Sequence, residues 1–206
     1  MTSRQLLPLS GVAAVLLTAL SFIVGGEPPD LGAPDSELVS YYGDESELQF
    51  ASALLGLAGL FFLIFSAAIA SLLRGVRDAS SAASNVSLAG GIIFTVGLTI
   101  FAGLAFTAAD AADDLDVTTL QTLNALEMNM FFTVAVGTAA FLLGTGVGAL
   151  KTGLLPRWLA WAAIVLGVIA VTPLGFAAFI GLGIWTLIAS AMLARRAGAP
   201  AQRDAG

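Results

Sequence analysis

The chain contains no cysteine and no histidine, and charged side chains make up only 11% of its 206 residues. The missing residue types exclude disulfide bonds, thiol nucleophiles, serine–histidine–aspartate triads, bis-histidine haem ligation and ordinary zinc sites. A soluble domain carries about 25% charged residues. Here hydrophobic residues account for 58% of the chain and the mean hydropathy is +0.94, which indicates an integral membrane protein. The basic residues form no patch, so we do not expect nucleic acid as a partner.

Charge-free runs divide the chain into segments of the length that spans a membrane, which is about 20 apolar residues. Runs 5–26, 48–73, 79–109 and 128–150 each fit one helix. Run 158–194 would form a helix about 55 Å long, so we expect it to turn back where Pro173 and Gly175 interrupt the helix. The sequence therefore predicts six spans, the last two as a hairpin of helices at 157–172 and 174–194.

The orientation follows from the basic residues, which mark the cytoplasmic side of a membrane protein. In a six-span arrangement all of them fall on one side together with both termini, whereas the acidic residues crowd the two outer loops. We expect the first run to be a retained span, because it lacks a small-residue cleavage site. We predict an all-α polytopic bundle over 1–198 and a disordered tail at 199–206. The basic residues are Arg4, Arg74, Arg77, Lys151, Arg157, Arg195, Arg196 and Arg203.

The first outer loop contains a segment that favours a short interfacial helix. Asp35 is a candidate N-cap and Gly43 a candidate terminator, with Leu38, Val39 and Tyr42 on the face toward the bundle or the membrane.

Capping and packing signals also accompany the spans. Asp44 with Glu47 resembles a capping pair for the second span, and Asp116 is placed to cap the fourth. The pair Gly144 and Gly148 fits close helix packing, either inside the bundle or in a homodimer. Trp185 lies in the middle of the sixth span, where we expect it to be buried against the bundle.

Three short motifs resemble those of an uncharacterised group of six-span bacterial integral membrane proteins, common in GC-rich bacteria and defined as domains of unknown function. The motifs are Tyr41-Tyr42, the segment LNAL at 123–126, and the segment KTGLLPRWLAW at 151–161. Members often carry a histidine after the paired tyrosines, where this chain has Gly43-Asp44. The resemblance implies the six-span layout and a bacterial plasma membrane, and it implies no activity.

Glu127 is the one acidic residue on the shoulder of an apolar run, and Asn124 lies one helical turn from it. Ionisable groups at membrane depth usually face a cavity or a partner. We therefore predict that a ligand site would consist of Tyr42, Asn124 and Glu127. Counting about 20 residues back from Leu150 puts the apolar boundary one turn inside Glu127, which favours the alternative that Glu127 is solvated among the headgroups.

The sequence predicts no catalytic set, no cofactor and no metal site, since a calcium-loop pattern is absent and Met128 and Met130 point in different directions on a helix. We expect a non-enzymatic accessory or scaffold subunit, with the lipid bilayer and other membrane proteins or a second copy as partners. The alternative is a binding or transport module for a lipid or small apolar molecule entered from the outer side. A lipid-modifying enzyme is the third hypothesis. Threonines of the third and fourth spans could line a polar track.

Overall fold

The computed structural model of the chain describes residues 3–75 and 81–198. Within these ranges every regular element is an α-helix, which agrees with the predicted all-α class. The predicted tail at 199–206 lies outside the described residues. The helices are α1 (Ser3–Gly25), α2 (Asp35–Gly43), α3 (Glu45–Arg74), α4 (Ser81–Asp110), α5 (Val117–Thr152), α6 (Arg157–Ala170) and α7 (Gly175–Gly198).

The long helices form a closed bundle. Going round it, α1 packs on α3, α3 on α4, α4 on α5, α5 on α6, α6 on α7, and α7 returns to α1. Helix α2 lies across one end against α4 and α5. We call this the acidic end, because the acidic loops are there. The basic end is the other one, where Arg74, Lys151, Arg157, Arg195 and Arg196 lie at helix termini.

Five helices of the described chain, α1, α3, α4, α5 and α7, are long and apolar enough to cross a membrane. Helix α6 has 14 residues, which gives it a length of about 21 Å. This is shorter than a hydrocarbon core of about 30 Å and shorter than the predicted helix at 157–172. The predicted break between the last two helices is confirmed, because α6 ends at Ala170 and α7 begins at Gly175.

Glycines allow α4 and α5 to pack with their backbones in contact. A Cβ on Gly90 would lie 2.1 Å from the Phe141 nitrogen, and one on Gly137 would lie 2.3 Å from the Phe94 nitrogen. A Cβ on Gly144 would likewise lie 2.4 Å from the backbone nitrogen of Ser87 on α4. A side chain at any of the three positions would push the two backbones apart, so the small residues serve packing inside the bundle.

The capping predictions have different outcomes. Asp116 caps α5 as predicted, since its Oδ1 accepts from the Thr119 amide at 2.9 Å. Asp44 stands at the N-cap position of α3 as predicted, but within the described chain its side chain makes no capping bond. Its φ of −81° and ψ of 55° differ from extended N-cap geometry. Asp35 does not cap α2 either, because Pro34 occupies the N-cap position.

The three tryptophans lie in two environments. Trp185 is buried as predicted, and its Nε1 donates to the Leu159 carbonyl at 2.9 Å. Trp158 and Trp161 are exposed at the start of α6, near the basic end.

Thr99 and Thr107 of α4 donate to carbonyls of their own helix one turn earlier. Ser84 and Thr95 donate instead to carbonyls of α3. Between α4 and α5, the described residues form one hydroxyl–hydroxyl hydrogen bond, which joins Ser87 and Thr145 at 2.7 Å. A continuous threonine track between these helices is therefore not formed.

Candidate functional site

The three predicted site residues meet in one hydrogen-bonded network at the acidic end. The Tyr42 hydroxyl donates to Asn124 Oδ1 and to Glu127 Oε2, each at 3.0 Å. Tyr42 is fully buried, and Glu127 is only 1% exposed. The prediction that Glu127 is solvated among the headgroups is therefore wrong, because helix α2 covers it.

Local sequence explains how these side chains are brought together. Asn124 and Glu127 lie three residues apart on α5, so they share one helix face. Leu38 and Tyr42 on α2 pack against Leu120 of α5 in a small apolar cluster. Val39, predicted to face the bundle or the membrane, is half exposed and lies outside this cluster.

Two polar contacts fix the loop and α2 on α5. Asn124 Nδ2 donates to the Pro29 carbonyl at 3.0 Å, and Gln121 Nε2 donates to Asp35 Oδ1 at 2.9 Å. These contacts join the loop before α2, and α2 itself, to successive turns of α5. Pro29 and Gln121 were not predicted, since nothing in the sequence shows which span an outer loop will cover.

The network has more acceptors than donors. Burial, and secondarily the charge of Glu127, raises the pKa of Tyr42 well above its usual range, so the hydroxyl keeps its proton and donates. One hydroxyl carries one proton, which Asn124 and Glu127 must share. Glu127 Oε1 is buried and has no hydrogen-bond partner in the described part of the chain.

Glu127 lines a small cavity, which we call the polar cavity, at the acidic ends of α1, α3 and α4. Its volume is about 30 Å³, and its polar walls come from Ser21, Tyr41, Ser52 and Glu127. A site for one water needs roughly 10–15 Å³ on this measure, so the polar cavity has room for about two waters or one small polar group.

A second and larger cavity of about 280 Å³ lies along the bundle, and we call it the apolar groove. Its floor includes Phe62 of α3 and Phe94 of α4, both buried, and its walls come from α1 and α7. Ala19, Ile180 and Ile184 line it and are exposed, so the groove opens on the side of the bundle. Apolar stretches of this kind look alike in a sequence, which is why the groove was not predicted.

The polar cavity and the apolar groove follow one another along the same helices. Phe22 of α1 lines both. On α3 the lining passes from Leu55 to Ala58, and on α4 from Ala102 to Leu98, steps of about one helical turn. The two spaces are therefore neighbours, with Phe22 at their boundary, a polar one at the acidic end and a longer apolar one beside it.

Within the described residues, no three acidic side chains are grouped so that they could hold a metal ion. Comparison of the chain with protein-family models, with curated proteins and with solved structures gives no match. The resemblance to the uncharacterised bacterial group stays a prediction. The polar cavity and the apolar groove therefore carry the functional inference.

Proposed function

We propose that the protein is an integral membrane protein that binds one lipid or other small amphiphile, with its chain in the apolar groove and its polar end in the polar cavity. The observation that carries this proposal is that the two spaces are neighbours and share Phe22 as a lining residue. The groove's 280 Å³ approaches the lower limit of ligand pockets, about 300 Å³. Its lining is almost entirely apolar, which suits a hydrocarbon chain.

The side opening supports entry of the ligand from the bilayer. The exposed rim residues Ile180 and Ile184 would face lipid chains in a membrane. Entry from the outer side, the route in the alternative hypothesis, has less support, because Tyr42 and Asn124 close it with hydrogen bonds.

For the placement in the membrane we propose six spans with α6 as the short one, both termini cytoplasmic and the acidic loops outside a bacterial plasma membrane. The support is the segregation of basic and acidic residues to opposite ends. The chain has no cysteine, so single cysteines can report the topology. Asp114→Cys should react with an impermeant maleimide on intact cells, and Gly75→Cys only after lysis. The reverse pattern would contradict this orientation.

The binding proposal is tested by filling the groove. Ala19 is an exposed wall residue of α1, so Ala19→Trp should place an indole in the groove while leaving the core unchanged. Ala67→Trp is the matched control, since Ala67 is exposed on α3 and does not line the groove. Binding of a fluorescent alkyl-chain probe is measured on purified protein in mild detergent.

We expect saturable binding of one probe per chain for the wild-type protein and for Ala67→Trp, and at least tenfold weaker binding for Ala19→Trp. Failure of the wild-type protein to bind any chain-bearing probe would contradict the proposal. The accessory or scaffold hypothesis predicts a larger particle with other proteins in the same preparation. A lone chain that binds the probe would count against that hypothesis.

A further inference from the structure

The polar cavity offers a buried carboxyl oxygen and several hydroxyl oxygens as hydrogen-bond acceptors. Glu127 Oε1 is free of partners among the described residues, and Glu127 Oε2 shares the Tyr42 proton with Asn124. Ser21 Oγ, also in the wall, gives its proton to the Ala51 carbonyl at 2.8 Å. Its remaining lone pairs are acceptors. A ligand group that brings several N–H or O–H donors would complete this set.

The protein supplies no positive side chain to this carboxyl group within the described residues. The described basic side chains end α3, α5 and α7 or begin α6, all at the basic end. A buried carboxylate is costly unless it is paired and hydrogen-bonded. The acidic loops above the cavity also favour the approach of a cation over that of an anion.

We propose that the polar cavity binds the primary ammonium head of an amphiphile whose chain lies in the apolar groove. This rests on the proposed function and names the class of ligand. A primary ammonium group carries three N–H donors, and the volume of about 30 Å³ admits a group of one to two waters in size. A quaternary ammonium group is larger and has no N–H, and a carboxylate or phosphate head would be repelled by Glu127.

Tyr41 adds a second feature that suits a cation. Tyr41 lines the cavity, and its ring meets the Tyr42 ring edge-on, with centroids 5.0 Å apart. The face of a tyrosine ring attracts cations electrostatically. The ammonium group would therefore have a carboxyl group, hydroxyl oxygens and an aromatic ring around it.

The test compares probes that share one alkyl chain and differ in the head: primary ammonium, hydroxyl or carboxylate. For the wild-type protein we expect the ammonium probe to bind at least tenfold more tightly than the hydroxyl probe, as a charge-assisted hydrogen bond allows. Glu127→Gln should abolish this preference. Its amide oxygen can still accept from Tyr42, while its NH₂ group replaces the free acceptor with a donor.

The outcomes separate this inference from the proposed function. Equal binding of the ammonium and hydroxyl probes by the wild-type protein, with Ala19→Trp still weakening both, would overturn the ammonium assignment and leave the groove proposal standing. No saturable binding of any probe would overturn both. Because the comparison of heads is made on the wild-type protein, it does not depend on the folding of Glu127→Gln.

A free ammonium ion carries the same N–H donors and positive charge as the head of an amphiphile. Methylammonium carries the head without the chain, so it should compete with the ammonium probe only at concentrations at least a hundredfold higher. Competition at equal concentration would show that the cavity binds free ammonium ions, and it would overturn the assignment to an amphiphile.

Discussion

Removing the Tyr42 hydroxyl should cost the folded state about 3 kcal/mol, and the cost should depend on Glu127. Tyr42→Phe keeps the buried ring and deletes the single donor that serves both Asn124 and Glu127. Leaving the neutral Asn124 acceptor unpaired costs about 1 kcal/mol, and leaving the buried Glu127 oxygen unpaired costs about 2 kcal/mol. The two costs together give the predicted total.

A double-mutant cycle measures the Glu127 share. Glu127→Met keeps an unbranched side chain of similar length and removes the acceptor. In that background Tyr42→Phe should cost only about 1 kcal/mol, so the coupling energy should be about 2 kcal/mol. The free energy of unfolding is measured by titration with a denaturing detergent and followed by tryptophan fluorescence.

The matched control is Tyr41→Phe. The Tyr41 hydroxyl makes no hydrogen bond within the described residues, so this variant should stay within about 0.5 kcal/mol of the wild-type protein. If Tyr42→Phe costs the same in both backgrounds to within about 0.5 kcal/mol, the hydroxyl does not link α2 to Glu127 and the reasoning fails.

Three further predictions concern the bundle, each checked by thermal unfolding followed by circular dichroism. Gly137→Ala should lose about 1–3 kcal/mol, because its Cβ meets the α4 backbone, whereas Gly103→Ala, with open space around it, should lose nothing. Asp116→Ala should lose about 1 kcal/mol with its N-cap bond, and Asp44→Ala should stay within about 0.5 kcal/mol. Trp185→Phe should lose about 1–3 kcal/mol by leaving the Leu159 carbonyl unpaired, while the exposed Trp161→Phe should be neutral.

The helices could be predicted because their signals are local. The hydrocarbon core of a bilayer disfavours charged side chains, so each span appears in the sequence as a charge-free run. These runs predicted most ends of the long helices to within a few residues. The cap at Asp116, the end of α2 at Gly43 and the turn before Gly175 likewise depend on neighbouring residues.

The environment of Glu127 could not be predicted, because it depends on contacts between distant segments. Counting apolar residues treats each span alone, and by that count Glu127 lies outside the boundary. In the folded chain, Tyr42 and the Pro29 carbonyl come from 85 and 95 residues away in sequence to meet Glu127 and Asn124. The apolar groove could not be predicted for the same reason, because its lining comes from four helices.

The short α6–α7 hairpin has a consequence for the membrane around it. The backbone amides of its turn form hydrogen bonds within the turn. The Thr172 amide donates to the Ile169 carbonyl, and the Gly175 amide donates to the Thr172 carbonyl. The Leu174 amide donates to Thr172 Oγ1. Pro173 has no amide hydrogen. Such a turn can remain at the depth of Phe131, whose ring lies 6.1 Å from that of Phe176, without exposing unpaired donors to lipid.

In a bilayer of ordinary thickness, a helix about 21 Å long on one side of the bundle would draw the nearer leaflet inward. The apolar groove lies between α7 and α1, beside this hairpin. Headgroups in the thinned leaflet would therefore sit closer to the groove's side opening than they do elsewhere around the protein. The head of a lipid would then travel a shorter distance from the interface to the polar cavity. Thicker membranes should therefore slow the exchange of lipid between the bilayer and the cavity.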